Sequence, residues 1–262
     1  MCTLIVLDRV VPGLPVVAAS NRDEFFSRPA APPARVEPQE EDVPAFVAPQ
    51  DLEAGGSWMG LNAEGLFVGL TNRRTPARKM DRRSRGLLVL EALRRPSAGA
   101  VAEDMREEGM REGLEATYNP FHLFYTDGRE SFLTSLTERG VKTEPLQPGI
   151  HVVCNRDPAD SSSRKIERIR TALGRIELEA PFPRVFEGLN DVLGSHGQPE
   201  NPLEQVCVHT PDYGTRSSAV LALGGERWRY WHAEGPPCQA KFRNYTRLLD
   251  DLRGRPAREE RT

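Results

Sequence analysis

Cys2 opens an uninterrupted run of apolar and β-branched residues, Cys2-Thr3-Leu4-Ile5-Val6-Leu7. Such a run reads as a buried strand, so the chain commits to a β core within its first residues. Val11-Pro12-Gly13 is a turn signal, and residues 15–19 supply a second apolar run, so the two read as a hairpin. Residues 29–50 carry Pro29, Pro32, Pro33, Pro38, Pro44 and Pro49 among alanines and acids. They read as an irregular surface excursion within one domain. Strands on either side of the turn 62–65 follow. Helices are expected over 84–95, stopped by Pro96, and over 98–112. Residues 121–125 and 131–136 read as strands around Asp127-Gly128, and 151–154 as another. The segment 162–173 has a serine at its start and Ile166, Ile169 and Leu173 on one face, an amphipathic helix. A helix over 184–193, strands over 205–209, 219–223 and 228–233, and a helix over 242–252 complete the chain. Strands, helices, strands, helices, strands is the order of a layered, sandwich-like α+β fold rather than an alternating parallel sheet.

Composition narrows the function. The 262 residues carry a net charge of −3, without the basic footprint of a nucleic-acid binder. Arg73, Arg74, Arg78, Arg82, Arg83 and Arg85 cluster, either as a local basic patch or as a solvated loop and helix start. No apolar stretch approaches the roughly 20 residues of a membrane span, and Asp8 and Arg9 interrupt the first run before it resembles a secretory leader. A soluble, cytoplasmic protein with a small-molecule ligand or substrate is expected. Cys2, Cys154, Cys207 and Cys238 show no CxxC, and the five histidines no HxxxH or HxH. No sequence-local metal site is expected, and no resident cofactor.

Cys2 also carries the chemistry. Removal of Met1 would leave one residue holding both a thiol, ordinarily of pKa about 8.5, and an α-amine of about 7.7–8.0. The amine then serves as the base for the thiol, directly or through a water. Polar residues recur at the ends of the expected strands: Asn21-Arg22-Asp23, Asn72, Asn155 and Arg216. Each type suits thiol-driven amide cleavage. Asp23 can orient the α-amine, Arg22 or Arg216 can favour the thiolate, and Asn72 and Asn155 can donate to an oxyanion. Singly, each is also an ordinary turn former, and Cys2 alone an ordinary buried hydrophobe.

Taken in order, these elements resemble the NRDE family, the transport and Golgi organisation protein 2 family. The resemblance rests on Met1-Cys2, Ala19-Ser20-Asn21-Arg22-Asp23-Glu24-Phe25 with Arg28-Pro29, Gly55-Gly56-Ser57-Trp58-Met59-Gly60, Gly69-Leu70-Thr71-Asn72 and Tyr213-Gly214-Thr215-Arg216. It implies a single domain over 1–262, with Asn21, Arg22 and Trp58 as candidate substrate-binding residues. A more distant likeness is to the penicillin V acylase and bile salt hydrolase group of N-terminal nucleophile hydrolases. That likeness implies a four-layer αββα sandwich, with Cys2 as nucleophile, Asp23 orienting the amine and Asn72 in the oxyanion hole. Asn155 and Arg216 match the remaining polar positions more loosely. Those hydrolases place an arginine three residues before the aspartate, where this chain has Ser20. Arg22 neighbours Asp23 and, in a strand, faces the other way. The thiolate-stabilising charge then falls to Arg216 or is missing.

Three functions are therefore carried forward. The first is hydrolysis of a linear amide bond of a small acyl substrate. The second is a carrier of haem or of lipid and acyl-coenzyme A, as the family resemblance implies; a thiolate or histidine could ligate haem, although there is no Cys-Pro pair and no CxxCH. The third is a scaffold that keeps an enzyme-like fold.

Overall fold

The computed structural model describes residues 2–75, 79–111, 113–158, 160, 162–197, 201–225 and 227–254. The opening hairpin forms from β1 (Cys2–Val11) and β2 (Leu14–Phe25). Both strands run well past their apolar cores, because the polar residues 21–24 continue the ladder of β2.

Two antiparallel sheets follow from the pairing. The first has the order β10-β1-β2-β11-β12-β13, adding β10 (Gly149–Val153), β11 (Tyr213–Leu223), β12 (Trp228–Ala233) and β13 (Arg243–Asn244). The second takes its strands in chain order: β3 (Ala30–Val36), β4 (Phe46–Asp51), β5 (Met59–Asn62), β6 (Phe67–Asn72), β7 (Phe121–Thr126), β8 (Ser131–Thr137) and β9 (Gly140–Pro145). The helices are α1 (Arg85–Leu93), α2 (Ala98–Met110), α3 (Gly113–Thr117), α4 (Arg164–Leu173), α5 (Phe182–Leu193) and α6 (Thr246–Leu252).

Side-chain alternation along the strands builds the layers. Leu4 and Val6 of β1 point inward with Val16 and Ala18 to meet Met59, Phe67 and Phe124 of the second sheet. Ile5 and Leu7 point the other way, against Ile166 and Ile169 of α4 and Leu189 of α5. On the far side, Val68, Leu70 and Leu123 of the second sheet are covered by Leu88, Val101 and Met105 of α1 and α2. The apolar stretch of β1 is thus buried on both faces, and the molecule is a four-layer αββα sandwich.

The structure departs from the sequence reading in several places, the short α3 among them. The proline-rich segment 29–50 holds an ordered pair, β3 and β4. Pro32 and Pro33 are accommodated because β3 is an edge strand and its register shifts between Ala31 and Ala34, which removes the demand for their missing N–H groups. The strand β9 has no buried side chain, half of its residues being exposed, and little apolar signal. Residues 205–209 form no strand: backbone pairing with β11 is limited to the Thr215 N–H on the Val208 carbonyl and an isolated bridge of His209 with Gly214. Side chains add the rest, Asn21 Nδ2 donating to the Val206 carbonyl and the Val208 N–H donating to Thr215 Oγ1. The last helix begins at Thr246, after the short β13, rather than at 242.

Candidate active site

The end of the opening hairpin sets the geometry. Cys2 pairs directly with Arg22 across β1 and β2, and directly opposed residues on neighbouring strands share a face. Asn21 and Asp23 therefore turn to the helix side, while Arg22 turns with Cys2 toward the space between the sheets. Arg22 lies with its guanidinium carbon 4.4 Å from the centre of the Trp58 ring, and its Nη2 is 3.4 Å from Asp51 Oδ2. Arg28 Nε donates to the same carboxylate oxygen at 2.8 Å. Nη1 of Arg22 is buried and has no hydrogen-bond partner among the described residues. Trp58 is held by its glycine-rich surroundings. At Gly56 an added Cβ would lie 2.3 Å from the backbone of Gly86, so the two segments touch through bare main chain.

A cavity of about 990 Å³ opens at this point. Cys2, Arg22, Trp58, Asn72 and Asn155 all line it. Asn72 ends β6, and Asn155 follows β10, whose ladder with β1 runs alongside the cysteine strand. Asn155 also accepts the Arg74 N–H on its carbonyl at 2.9 Å. The described residues between β6 and α1, with the first residue of α1, form one wall, contributing Arg73, Arg74, Lys79, Arg82, Arg83 and Arg85. The arginine cluster is thus cavity lining rather than only a solvated loop, except for Arg78, which lies outside the described residues, as does Met1. Basic groups outnumber acidic ones around the cavity.

Asp23 is buried behind the cysteine. Thr215 Oγ1 donates to its Oδ1 at 2.7 Å, and Lys165 Nζ approaches its Oδ2 at 3.7 Å. Burial pushes the Asp23 carboxyl up, while Lys165 and the Thr215 hydrogen bond pull it down. Burial also pushes the Cys2 thiol up; Asp23 adds to that rise and Arg22 opposes it. A half-buried thiol held in its protonated form needs a base to become a nucleophile.

The other two sequence-derived candidates stand elsewhere. Asn21 is fully buried, donating to the carbonyls of Leu193 at 2.9 Å and Val206 at 3.0 Å and accepting from Ser218 Oγ at 2.6 Å. It ties β2 to the end of α5 and to β11, and does not line the cavity. Arg216 sits where the β2–β11 register shifts, between Thr215 opposite Asp23 and Ser217 opposite Arg22. A bulged residue is re-aimed: Arg216 donates to the Phe26 carbonyl at 3.0 Å and lines a second cavity of about 320 Å³, which Arg22 and Trp58 also border. The cationic side chain on the thiol's own face is Arg22. Lys165 and Thr215 escaped the sequence reading. Lys165 falls four residues before Ile169, on the buried stripe of the amphipathic helix, and a lysine inside an apolar stripe is a readable sign of a buried charge partner.

The match to the Transport and Golgi organisation 2 family model covers residues 1–231. The chain belongs to that family. Among its relatives are the Transport and Golgi organization protein 2 homologues of Bos taurus, 26% identical over 80% of this chain and 83% of the relative, and of Homo sapiens, 24% identical with the same coverage. Among solved structures it is similar to a mutant conjugated bile acid hydrolase from Clostridium perfringens, with TM-score 0.59, 12% identity, 98% of this chain and 95% of the other covered. It is also similar to penicillin V acylase from Agrobacterium tumefaciens, with TM-score 0.53, 13% identity and coverage of 95% and 88%. At these identities the likeness to the two hydrolases is one of fold. Among the described residues no helix is long and apolar enough to cross a membrane.

Proposed function

We propose that this Transport and Golgi organisation 2 family member is an N-terminal cysteine hydrolase cleaving a linear amide bond in an acyl substrate that bears an anionic group. The observation that carries the reading is the pairing of Cys2 with Arg22 on the wall of a cavity of about 990 Å³, with Asn72 and Asn155 on the same lining. In this reading Met1 is removed and the freed α-amine takes the thiol proton. Cys2 Sγ attacks the carbonyl carbon, the carbonyl π pair moves to oxygen, and side-chain N–H groups of Asn72 and Asn155 stabilise the oxyanion. Collapse expels the amine, which leaves with the proton held by the α-ammonium. Water then attacks the thioester and returns the thiol and a free carboxylic acid. Arg22 Nη1, a buried donor without a partner among the described residues, is a natural contact for the thiolate or a substrate oxygen. Asp23, held by Thr215 and faced by Lys165, orients the α-ammonium.

The basic wall supports the anionic substrate class, since several guanidinium groups on one side of a partly desolvated cavity favour a carboxylate or phosphate. The test is a panel of acyl amides, neutral and acidic, assayed with wild type, Cys2→Ala and Arg74→Ala. Hydrolysis of acidic members, lost by at least about 100-fold in Cys2→Ala, with a raised KM and near-constant kcat in Arg74→Ala, is expected. Turnover that survives Cys2→Ala unchanged refutes the nucleophile, and a preference for neutral amides refutes the substrate class.

A further inference from the structure

Outside the lining of the large cavity, four side chains that the catalytic reading does not use come together. His196 follows α5, Cys207 and His209 lie on the irregular segment before β11, and Cys238 lies after β12. Each offers one ligating atom, and the four atoms lie within 4.8 Å of one another. Cys207 Sγ is 3.6 Å from Cys238 Sγ and 3.5 Å from His209 Nε2, which is itself 3.3 Å from Cys238 Sγ. The His196 and His209 ring centres are 5.0 Å apart. Both cysteines are free thiols.

We propose that His196, Cys207, His209 and Cys238 form a structural zinc site. A tetrahedral zinc ion with Zn–S near 2.3 Å and Zn–N near 2.05 Å sets its ligands about 3.8 Å apart for two sulfurs and about 3.6 Å for sulfur and nitrogen. The observed separations of 3.6, 3.5 and 3.3 Å are a few tenths of an ångström from those edges. Two thiolates with two imidazoles is a zinc donor set, closed by four protein ligands and therefore structural rather than catalytic. The surrounding contacts prepare it. His196 Nδ1 is 3.2 Å from the Cys207 carbonyl, which places the ring proton on Nδ1 and leaves the Nε2 lone pair for the metal. The Cys207 N–H donates to the Ser195 carbonyl at 3.0 Å, so the two ligand-bearing segments are already tied together.

The fold gives the ion a purpose. Residues 194–212 join α5 to β11, and their only regular structure among the described residues is one short helical turn, Pro202–Glu204. Connections of this length need a staple to stay ordered. This one also bears on the candidate active site, because its Val206 carbonyl accepts from Asn21 and its Val208 N–H donates to Thr215 Oγ1, the hydroxyl that donates to Asp23. Zinc would pin the segment that backs the polar end of β2.

The full chain is expressed in zinc-supplemented medium, desalted under reducing conditions and analysed for metal by mass spectrometry. About one zinc per chain is expected, falling to near zero in Cys238→Ser and His209→Ala. Cys238 is exposed, so its serine variant is expected to fold. Cobalt(II) titrated into the reduced, metal-free chain should give a saturable tetrahedral d–d band with sulfur-to-cobalt charge transfer, absent from Cys238→Ser. A strong chelator should lower the Tm of wild type and leave that of Cys238→Ser unmoved. Substoichiometric zinc with no cobalt band overturns the proposal, as does a Cys207–Cys238 disulfide in protein alkylated at lysis.

Discussion

At Cys2 the physical question is how a thiol raised by burial becomes a nucleophile at neutral pH. Burial is the largest influence, with Asp23 adding to it and Arg22 opposing, so the thiolate fraction must grow as pH rises through and beyond the ordinary thiol range near 8.5. Alkylation of Cys2 by iodoacetamide, followed by peptide mass spectrometry, should accelerate with pH up to and past that value, and Arg22→Gln should move the profile to higher pH. A rate that is flat between pH 6 and 9 would contradict this. Behind the thiol, Thr215 is the donor to buried Asp23 Oδ1. Thr215→Val should cost about 1–3 kcal/mol of stability by removing a donor from a buried carboxylate, and Thr215→Ser should restore most of it in denaturant unfolding. The residue types of the site were legible because amide chemistry demands them; their faces were not. Strand alternation alone correctly separates Arg22 from Asp23, but only the β1–β2 register puts Cys2 on the side of Arg22. Arg216 was misdirected by a bulge, which has no signature in its own sequence.

Among the elements, the glycine-rich segment 55–60 shows how a motif can serve position rather than chemistry. Gly56 packs against the backbone of Gly86, Ser57 N–H donates to the Gly86 carbonyl at 3.0 Å, and Trp58 is thereby set over Arg22. Gly56→Ala places a methyl within 2.3 Å of main chain that cannot rotate away. It should destabilise by about 1–3 kcal/mol and lower substrate affinity through Trp58, read by thermal unfolding and KM; an unchanged Tm would sink this account. Turn chemistry made the hairpins at 11–14, 62–67 and 126–131 readable, and periodicity revealed α4 and α5, with Leu173 and Leu193 near their ends. The pair β3–β4 was hidden because prolines signal loops, and only an edge position with a register shift makes them compatible with a strand. The cluster of His196, Cys207, His209 and Cys238 was hidden for another reason: only Cys207 and His209 are near in sequence, and His196 and Cys238 reach them across 11 and 29 residues.

For the whole molecule, burying two histidines has a consequence for acid stability. His122 is held down to about 4, by burial first and Arg73 second, and His232 to about 4 by burial. Unfolded, each titrates near 6.5. The folded values are depressed, so the unfolded chain binds more protons below that pH; stability is full above about pH 6.5 and is lost as pH falls toward 4. Each histidine contributes on the order of 3 kcal/mol across that window. Asp23, raised by burial, works in the opposite sense as it protonates. Denaturant unfolding from pH 7.5 to 4.5 should show this decline, and His122→Asn should flatten it; equal slopes would remove His122 from the account. The same sandwich that buries these groups brings the first residues of β1 to the wall of the large cavity, and the catalytic reading depends on what stands there. The most direct measurement is the intact mass of the purified native chain beside Cys2→Ala. Loss of the mass of one methionine from wild type is expected, exposing the α-amine that serves as base. Wild type that retains Met1 in full would leave Cys2 without that base and would contradict the proposed hydrolase.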